Sequence, residues 1–332
     1  MSVITIRENN GVPKYKQIIT SIENGILNGT YKQGDKLPSI NSVKVRFSMS
    51  RDTVLLAYSD LKFRGIIQGV PGKGYYIKNE NISTSQKIFL LFDELNAFKE
   101  DLYNSFLKNL DKGVEVDIFF HHFNFDIFSK LVYDNIGIYN SYIIMPANLR
   151  RIDTILEKLP SNRVYILDQS HSELSEFPAI YQNFKKDITK ALSNCIHLLK
   201  KYKKLILLFQ KEKQPTGMLN GFKDFCIIEN FDYEIIDNIE DRTPIKKEVY
   251  LIPDDRNLIR IIKKINEQKL TLAKNVGIIS YNDTLLKEIV EGGITTISTD
   301  FNKMGERLAK MVMKKETVKI ENINNLILRN SL

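Results

Sequence analysis

Ser50, Arg51, Asp52 and Thr53 stand in a row ahead of an apolar-periodic segment, and their order suits contact with a polyanion. A serine at a helix start satisfies orphan amides and leaves that end free to approach a phosphate backbone. Arg51, in the first turn, can reach a guanine edge through two parallel hydrogen bonds, although taken alone it reads as an ordinary surface arginine, and Thr53 can bond a phosphate oxygen. Asp52 either complements the helix dipole or accepts from a cytosine amine. Gly72, Lys73 and Gly74 place a cation between two residues whose backbone can come close to a groove. A second group consists of acids and amides just after apolar runs: Asp168 after VYIL, Asp254 after VYLIP, and Asn282 and Asp283 after VGIISY. Carboxylates and amides in such places bind vicinal hydroxyls through paired hydrogen bonds.

Other chemistry finds little support. His121 and His122 are adjacent after an apolar run, a spacing that fits a satisfied strand end better than two ligands on one metal. Cys195 and Cys226 are the only cysteines and read as small core residues, so neither disulfide nor zinc is indicated. No G-x-S-x-G, HExxH or Walker loop occurs, and GVPGKG at 69–74 lacks the strand-to-helix setting of a phosphate loop. No catalytic residue, cofactor or metal is expected.

The first group needs a compact basic unit to present it. Tyr15, Ile18, Ile19, Ile22 and Ile26 recur at helical steps and end at Asn28 and Gly29. Ser39 can cap a short helix through Phe47, and Ser50 a third carrying Val54, Ala57, Tyr58 and Leu61 and stopping at Gly65. Two β-prone runs, 66–70 and 75–77, flank the Pro71–Gly74 tip as a hairpin. Three helices and a hairpin make a winged helix-turn-helix. Residues 1–80 hold 12 Lys and Arg against 6 Asp and Glu, so they carry +6 of the net +8. An excess confined to one quarter of the chain implies a polyanion partner for that quarter.

The second group needs parallel strands. After NENISTSQ (79–86), a linker by composition, nine short apolar runs alternate with helical patterns: 88–92, 116–120, 142–145, 164–167, 205–209, 233–236, 249–252, 276–279 and 295–298. Continuous apolar strands separated by helices imply parallel sheets buried on both faces, in one or two doubly wound lobes. The crevice beyond the carboxyl ends of such strands is the ligand site, which places Asp168, Asp254, Asn282 and Asp283 at it. The expected fold class is α/β, with units at 1–78, 79–86 and 87–332. The start of the chain lacks a signal peptide and no long apolar stretch follows, so a cytoplasmic protein without membrane contact is expected.

From PKYKQ (13–17) to GYYI (74–77) the chain resembles the GntR family of bacterial regulators, through GDKLPS (34–39), SRDTV (50–54) and the Gly72–Lys73–Gly74 wing. The resemblance implies a DNA-contacting set of Ser39, Asn41, Ser50, Arg51, Asp52, Thr53, Gly72, Lys73 and Gly74. Asn41 and Leu55 stand where the family usually has arginines, so the operator is expected to differ from the common family sites. Lys44, Arg46, Lys62 and Arg64 either compensate electrostatically or form a solvated face.

Residues 87–332 resemble the effector domain of LacI-type regulators, through VYILDQ (164–169), YNDT (281–284), TTISTDF (295–301) and LILRNS (326–331). An arabinose-regulator-like architecture and a periplasmic-binding-protein-like fold are implied. So is a monosaccharide or sugar-derivative effector held by Asp168, Asp254, Asn282, Thr299, Phe301 and Tyr233, with Asn96 and Phe98 nearby. Phe301 reads equally as a cover for a sugar ring and as core. Met218 stands where the family commonly has an arginine before Gly221 and Phe222, and Lys211 and Lys213 are possible substitutes.

Together these readings make the chain a regulator, by family habit a repressor, binding a double-stranded DNA operator as a homodimer under effector control. Three rivals are weaker. A pyridoxal-phosphate aminotransferase-like domain needs more chain, and a periplasmic sugar-binding protein would not carry a basic head. A second domain that only dimerises, or senses a non-sugar metabolite, stays open.

Overall fold

The computed structural model describes residues 4–7, 12–80 and 86–332, so most of the 79–86 segment lies outside the described residues. The amino-terminal unit opens with α1 (Lys14–Leu27), whose Ile18, Ile22 and Ile26 are buried. Next come α2 (Ile40–Arg46) and α3 (Arg51–Phe63). Ser39 and Ser50 cap them, each side-chain oxygen accepting at 3.1 Å from the N–H three residues on. Val54, Ala57, Tyr58 and Leu61 of α3 are fully buried against α1, Leu37 and Ile67. At about 1.5–3 kcal/mol for each large apolar side chain, this stripe fixes α3 and leaves Arg51 and Asp52 exposed on the other side. The strands β1 (Ile67–Val70) and β2 (Gly74–Ile77) pair antiparallel across the glycine tip.

The GDKLPS turn forms part of the same framework. Gly34, at φ +90°, donates to the Ile77 carbonyl, Ile77 donates back to Asp35, and Leu37 donates to Tyr75. Residues 34–37 thereby run along β2, and the Tyr58 hydroxyl ties Pro38 to α3 at 2.7 Å.

The rest of the chain builds two six-stranded sheets. The first uses β3 (Lys87–Phe92), β4 (Glu115–Phe120), β5 (Ser141–Ile144), β6 (Val164–Asp168) and β7 (Ala179–Tyr181), with α4 (Ala97–Lys108), α5 (Phe125–Asp134) and the one-turn α6 (Asp153–Leu156) on its faces. The second begins after α7 (Phe184–Asn194) and the short α8 (Ile196–Leu199). It uses β8 (Lys204–Leu208), β9 (Asp232–Ile236), β10 (Glu248–Ile252), β11 (Gly277–Tyr281) and β12 (Thr295–Thr299), with α9 (Thr216–Ile228), α10 (Asp255–Glu267) and α11 (Leu285–Ile289) between them. The chain then returns to the first lobe as α12 (Phe301–Lys314) and β13 (Lys319–Glu321), and ends on the second as β14 (Asn324–Ile327).

Strand order is β13-β7-β6-β5-β3-β4 in one sheet and β14-β12-β11-β10-β8-β9 in the other, and all pairings are parallel except β12 with β14. Both sheets thus share one winding, in which the order reverses beside the first strand, at β3/β5 and at β8/β10. Those reversals open a crevice at the strand carboxyl ends. Apolar clusters cover both faces of each sheet, which is why β3, β6, β8 and β10 read as continuous apolar runs.

Three crossovers join the lobes, at 182–183, at Asp300 and at 322–323. The edge strands β13 and β14, and short β7, carry no apolar run in the sequence; half-exposed edges need apolar residues only at alternate positions.

Candidate functional site

Two groups of polar residues stand out, one on the amino-terminal unit and one between the lobes. On the first, Ser39, Asn41, Ser50, Arg51 and Asp52 are exposed and Thr53 is half-buried. The Ser50 hydroxyl lies 2.7 Å from the Thr53 hydroxyl and caps its amide, so α3 presents a satisfied amino end with Arg51 beside it. Gly72 and Gly74 both take positive φ, +71° and +106°, which allows the tight tip and leaves Lys73 exposed. Lys44, Arg46 and Lys62 are exposed as well. Arg64 is not free, since it pairs with Glu23 at 2.5 Å and Asp60 at 3.2 Å.

Between the lobes lies a cavity of about 510 Å³. Residues just past strand ends line it: Asp93 after β3, Asp168 ending β6, Gln210 after β8, Asp254 after β10 and Asn282 after β11. The first lobe adds Asn96, Phe98 and Lys99, and the second adds Met218, Tyr281 and Lys287.

Asp168 and Asn282 hold equivalent places, at the end of the fourth strand of each lobe, and both take left-handed backbone, at φ +73° and +60°. Asp and Asn are the side-chain-bearing residues that tolerate this region best, and such strain collects at ligand clamps. Asp168 accepts from the Gln182 amide at 2.5 Å, and burial pushes its carboxyl up to about 6, with Lys99 opposing and Asp93 reinforcing. Asn282 Oδ1 and the Tyr281 hydroxyl are buried without a hydrogen-bond partner among the described residues. Burial raises the Tyr281 phenol well above its ordinary value, with Asp187 and Asp168 adding to the effect. Asp254 caps α10, accepting from the Asn257 backbone and side-chain nitrogens, both at 2.9 Å.

The remaining candidates fall elsewhere. Thr299 does not line the cavity; it is buried one step behind, donating to Gln182 Oε1 at 2.7 Å. Phe301 is core in the first lobe and stacks at 4.8 Å on Phe98, which does reach the cavity. Tyr233 lies near the amino end of β9 and packs edge-on against Phe222 at 6.0 Å. The crevice is at the opposite strand ends, so Tyr233 cannot contribute to it.

Asp283 turns away and forms a two-pronged pair with Arg329 at 2.6 and 2.7 Å. Burial pushes its carboxyl up, but the bonds from Arg329 and Thr296 outweigh that and hold it below the ordinary value. Lys213 lines the cavity, and Lys211 does not. His121 is buried and its Nε2 donates to the Met145 carbonyl at 3.0 Å, a strand-end role. Cys195 and Cys226 are buried together in the core of the second lobe.

Gln182, Tyr281 and Lys287 were not legible as site residues. Gln182 follows a three-residue strand without a sequence signal, and Lys287 resembles any surface lysine of a short helix. It is instead 1% exposed, donating to the Tyr281 and Asn282 carbonyls at 2.8 and 2.7 Å and to Asp255 at 3.0 Å. All three of its donors are spent on holding the Asn282 turn against the start of α10. Gln182 lies in the first crossover, and Thr299 and Asn324 flank the other two; Asn324 donates to Thr299 at 3.4 Å, Thr299 to Gln182 and Gln182 to Asp168, one chain of hydrogen bonds.

Among the described residues no helix is long and apolar enough to cross a membrane. The family model for bacterial regulatory proteins of the gntR family matches residues 14–77. The transcriptional repressor YtrA of Bacillus subtilis is 33% identical over 115 residues, covering 35% of this chain and 85% of YtrA. The Escherichia coli repressor MngR, of a mannosyl-D-glycerate transport and metabolism system, is 34% identical over 107 residues, 32% of this chain and 41% of MngR. B. subtilis YcxD is 41% identical over 64 residues, 19% of this chain, which spans only 14% of YcxD.

Among solved structures, a dimeric Lac repressor with a carboxy-terminal deletion superposes with a TM-score of 0.64 at 13% identity, over 74% of this chain and 98% of that one. A LacI-family regulator from Silicibacter pomeroyi gives 0.63 at 12%, with the same coverage. At these identities the likeness establishes the fold of the two lobes. With its amino-terminal unit matched by the family model and most of YtrA aligned at 33% identity, the chain belongs to the GntR family of bacterial regulatory proteins.

Proposed function

We propose that this protein is a DNA-binding transcription regulator, acting as a repressor, whose operator affinity is set by a small molecule of the sugar class bound between the lobes. In this reading residues 1–78 are the DNA-binding head, 79–86 the linker and 87–332 the effector-binding and dimerising part. The observation that carries it is the exposed start of α3, where Arg51 follows a capped helix end on a unit that also presents an exposed Lys73 at a glycine-tipped hairpin. Such a helix end enters the major groove with its first residues on base edges while the wing follows the backbone. The +6 charge of the first 80 residues favours phosphate through counterion release.

A homodimer matches two such helices to an inverted repeat. In its favour, Leu285, Leu286 and Ile289 of the short α11 are 79%, 40% and 76% exposed, an apolar surface of the kind that interfaces cover. Effector control follows from the hinge. A ligand touching Asp168 acts directly on a hydrogen-bond chain whose members lie in or next to the three crossovers, so closing the lobes on it alters the separation of the heads. The likeness to Lac repressor and the names of YtrA and MngR support repression and a carbohydrate-like effector.

Selection of bound duplexes from a random pool tests the DNA reading. The wild-type protein is expected to enrich an inverted repeat. Arg51→Ala is expected to cost about 1–3 kcal/mol and to relax preference at one base pair per half-site. A loss that is uniform across sequences would make Arg51 a phosphate contact, and failure to enrich any repeat would refute base readout.

A further inference from the structure

Among the described residues the buried part of the cleft lining is rich in acceptors, and its buried cations, Lys99 and Lys287, are both paired. Asn282 Oδ1 is buried and unpartnered, and Asp168 receives a hydrogen bond on one oxygen only, from Gln182. The Tyr281 hydroxyl, also buried and unpartnered, can donate or accept. Of the cations lining the cavity, three are engaged and two are not. Lys99 is buried in an ion pair with Asp93. Lys287 divides its donors among two carbonyls and Asp255. Arg260 pairs with Glu240 at 3.1 Å and bonds Asn257 at 3.3 Å. Only Lys213 and Arg256 form no ion pair among the described residues, and both are exposed.

From α9 the second lobe adds Met218 to the lining, 2% exposed and uncharged. An anionic group placed against Asp168 and Asn282 would lose its hydration and meet the Asp168 carboxylate, with the buried cations Lys99 and Lys287 already paired. A hydroxyl or an ammonium would instead donate to Asp168 or to Asn282, and the Tyr281 hydroxyl would donate to a ligand oxygen.

Resting on the proposed effector role of this cleft, we infer that its ligand is a hydroxylated small molecule, neutral or amine-bearing, that buries no anionic group, so that sugar phosphates and sugar acids are excluded. The shared chemistry is a set of hydrogen-bond donors presented to Asp168 and Asn282. A cavity of about 510 Å³ suits a molecule of mono- to disaccharide size. Discrimination comes from the wall's unpaired acceptors, because a partner left unsatisfied in a dry site penalises the wrong ligand more than the right contact rewards the correct one.

The test is calorimetric titration of the full chain with matched series, each comprising a neutral sugar, its amino-deoxy form, its phosphate ester and its uronic acid. A neutral or amino-deoxy member is expected to bind, with its phosphate and acid counterparts weaker by about tenfold or more. Phosphates or acids binding more tightly than the neutral parent would overturn the inference and leave the sensor reading standing. Heat from no member of any series would overturn both.

Asp168→Asn supplies an independent check, with unfolding followed alongside. By removing the charge while keeping an acceptor, it is expected to shrink the preference for the amino-deoxy over the neutral form. An unchanged ratio in the folded variant would overturn the role given to Asp168.

Discussion

Asp168 shows how one residue carries both strain and signal. Its left-handed backbone and buried carboxyl are costs that a core position would not retain, and the same turn aims the side chain into the cleft. Because its folded value lies near 6 rather than the ordinary 3.8, the folded state holds a proton that the unfolded chain has lost between about pH 4 and 6. Stability therefore falls as pH rises through that window, by about 3 kcal/mol from this group. Asp168→Asn lacks the titration, so the difference in unfolding free energy between variant and wild type is expected to shift toward the variant from pH 4.5 to 7. Denaturant titrations at the two pH values check this, and a pH-independent difference would place the carboxyl in water.

At this scale the sequence was informative where a residue type has one reason to follow a strand. Asp168, Asp254 and Asn282 reach the cleft as the strand-end rule requires. Asp283, one residue further, faces the opposite side and pairs with Arg329, forty-six positions away in sequence. No local pattern could have announced that partner.

At the scale of elements, the helix pairs are held together by glycines. Gly305 of α12 lies against the Leu102 carbonyl and the Phe106 amide of α4, and Gly221 of α9 lies against Lys185 of α7. A methyl group at either place would meet backbone, which cannot rotate aside. Gly305→Ala is expected to force α12 from α4 and destabilise the first lobe by about 1–3 kcal/mol, as overpacking does. Thermal unfolding checks it, and an unchanged midpoint would mean the helices already stand apart.

Neither close approach was legible beforehand, since a glycine within a helix reads only as a weak former. The helices of the amino-terminal unit were legible because Ser39 and Ser50 cap them and the apolar period is regular. The nine apolar runs all became strands because both faces of each sheet are covered. The strands β7, β13 and β14 escaped notice: KIE and NNLI alternate with polar residues at sheet edges, and AIY is too short to signal.

At the scale of the whole molecule, a positively charged amino-terminal unit is joined to two lobes linked by three crossovers. The two lobes share a winding, so their equivalent strand ends face each other, and the three crossovers leave closure as the natural motion. In the proposed reading, the hydrogen bonds from Asn324 through Thr299 and Gln182 to Asp168 let a ligand on Asp168 act next to all three connections. A coupling of about 1–3 kcal/mol, a five- to 150-fold change in affinity, is enough for regulation.

The measurement that tests this most directly is the affinity of the full chain for its selected operator, by fluorescence anisotropy at fixed salt, with and without a saturating neutral or amino-deoxy sugar found to bind. The expected result is an affinity lower by about five- to 150-fold with ligand present, an effect lost in a Gln182→Ala variant that still binds the sugar. An operator affinity that stays constant while the cleft is demonstrably filled would contradict the account.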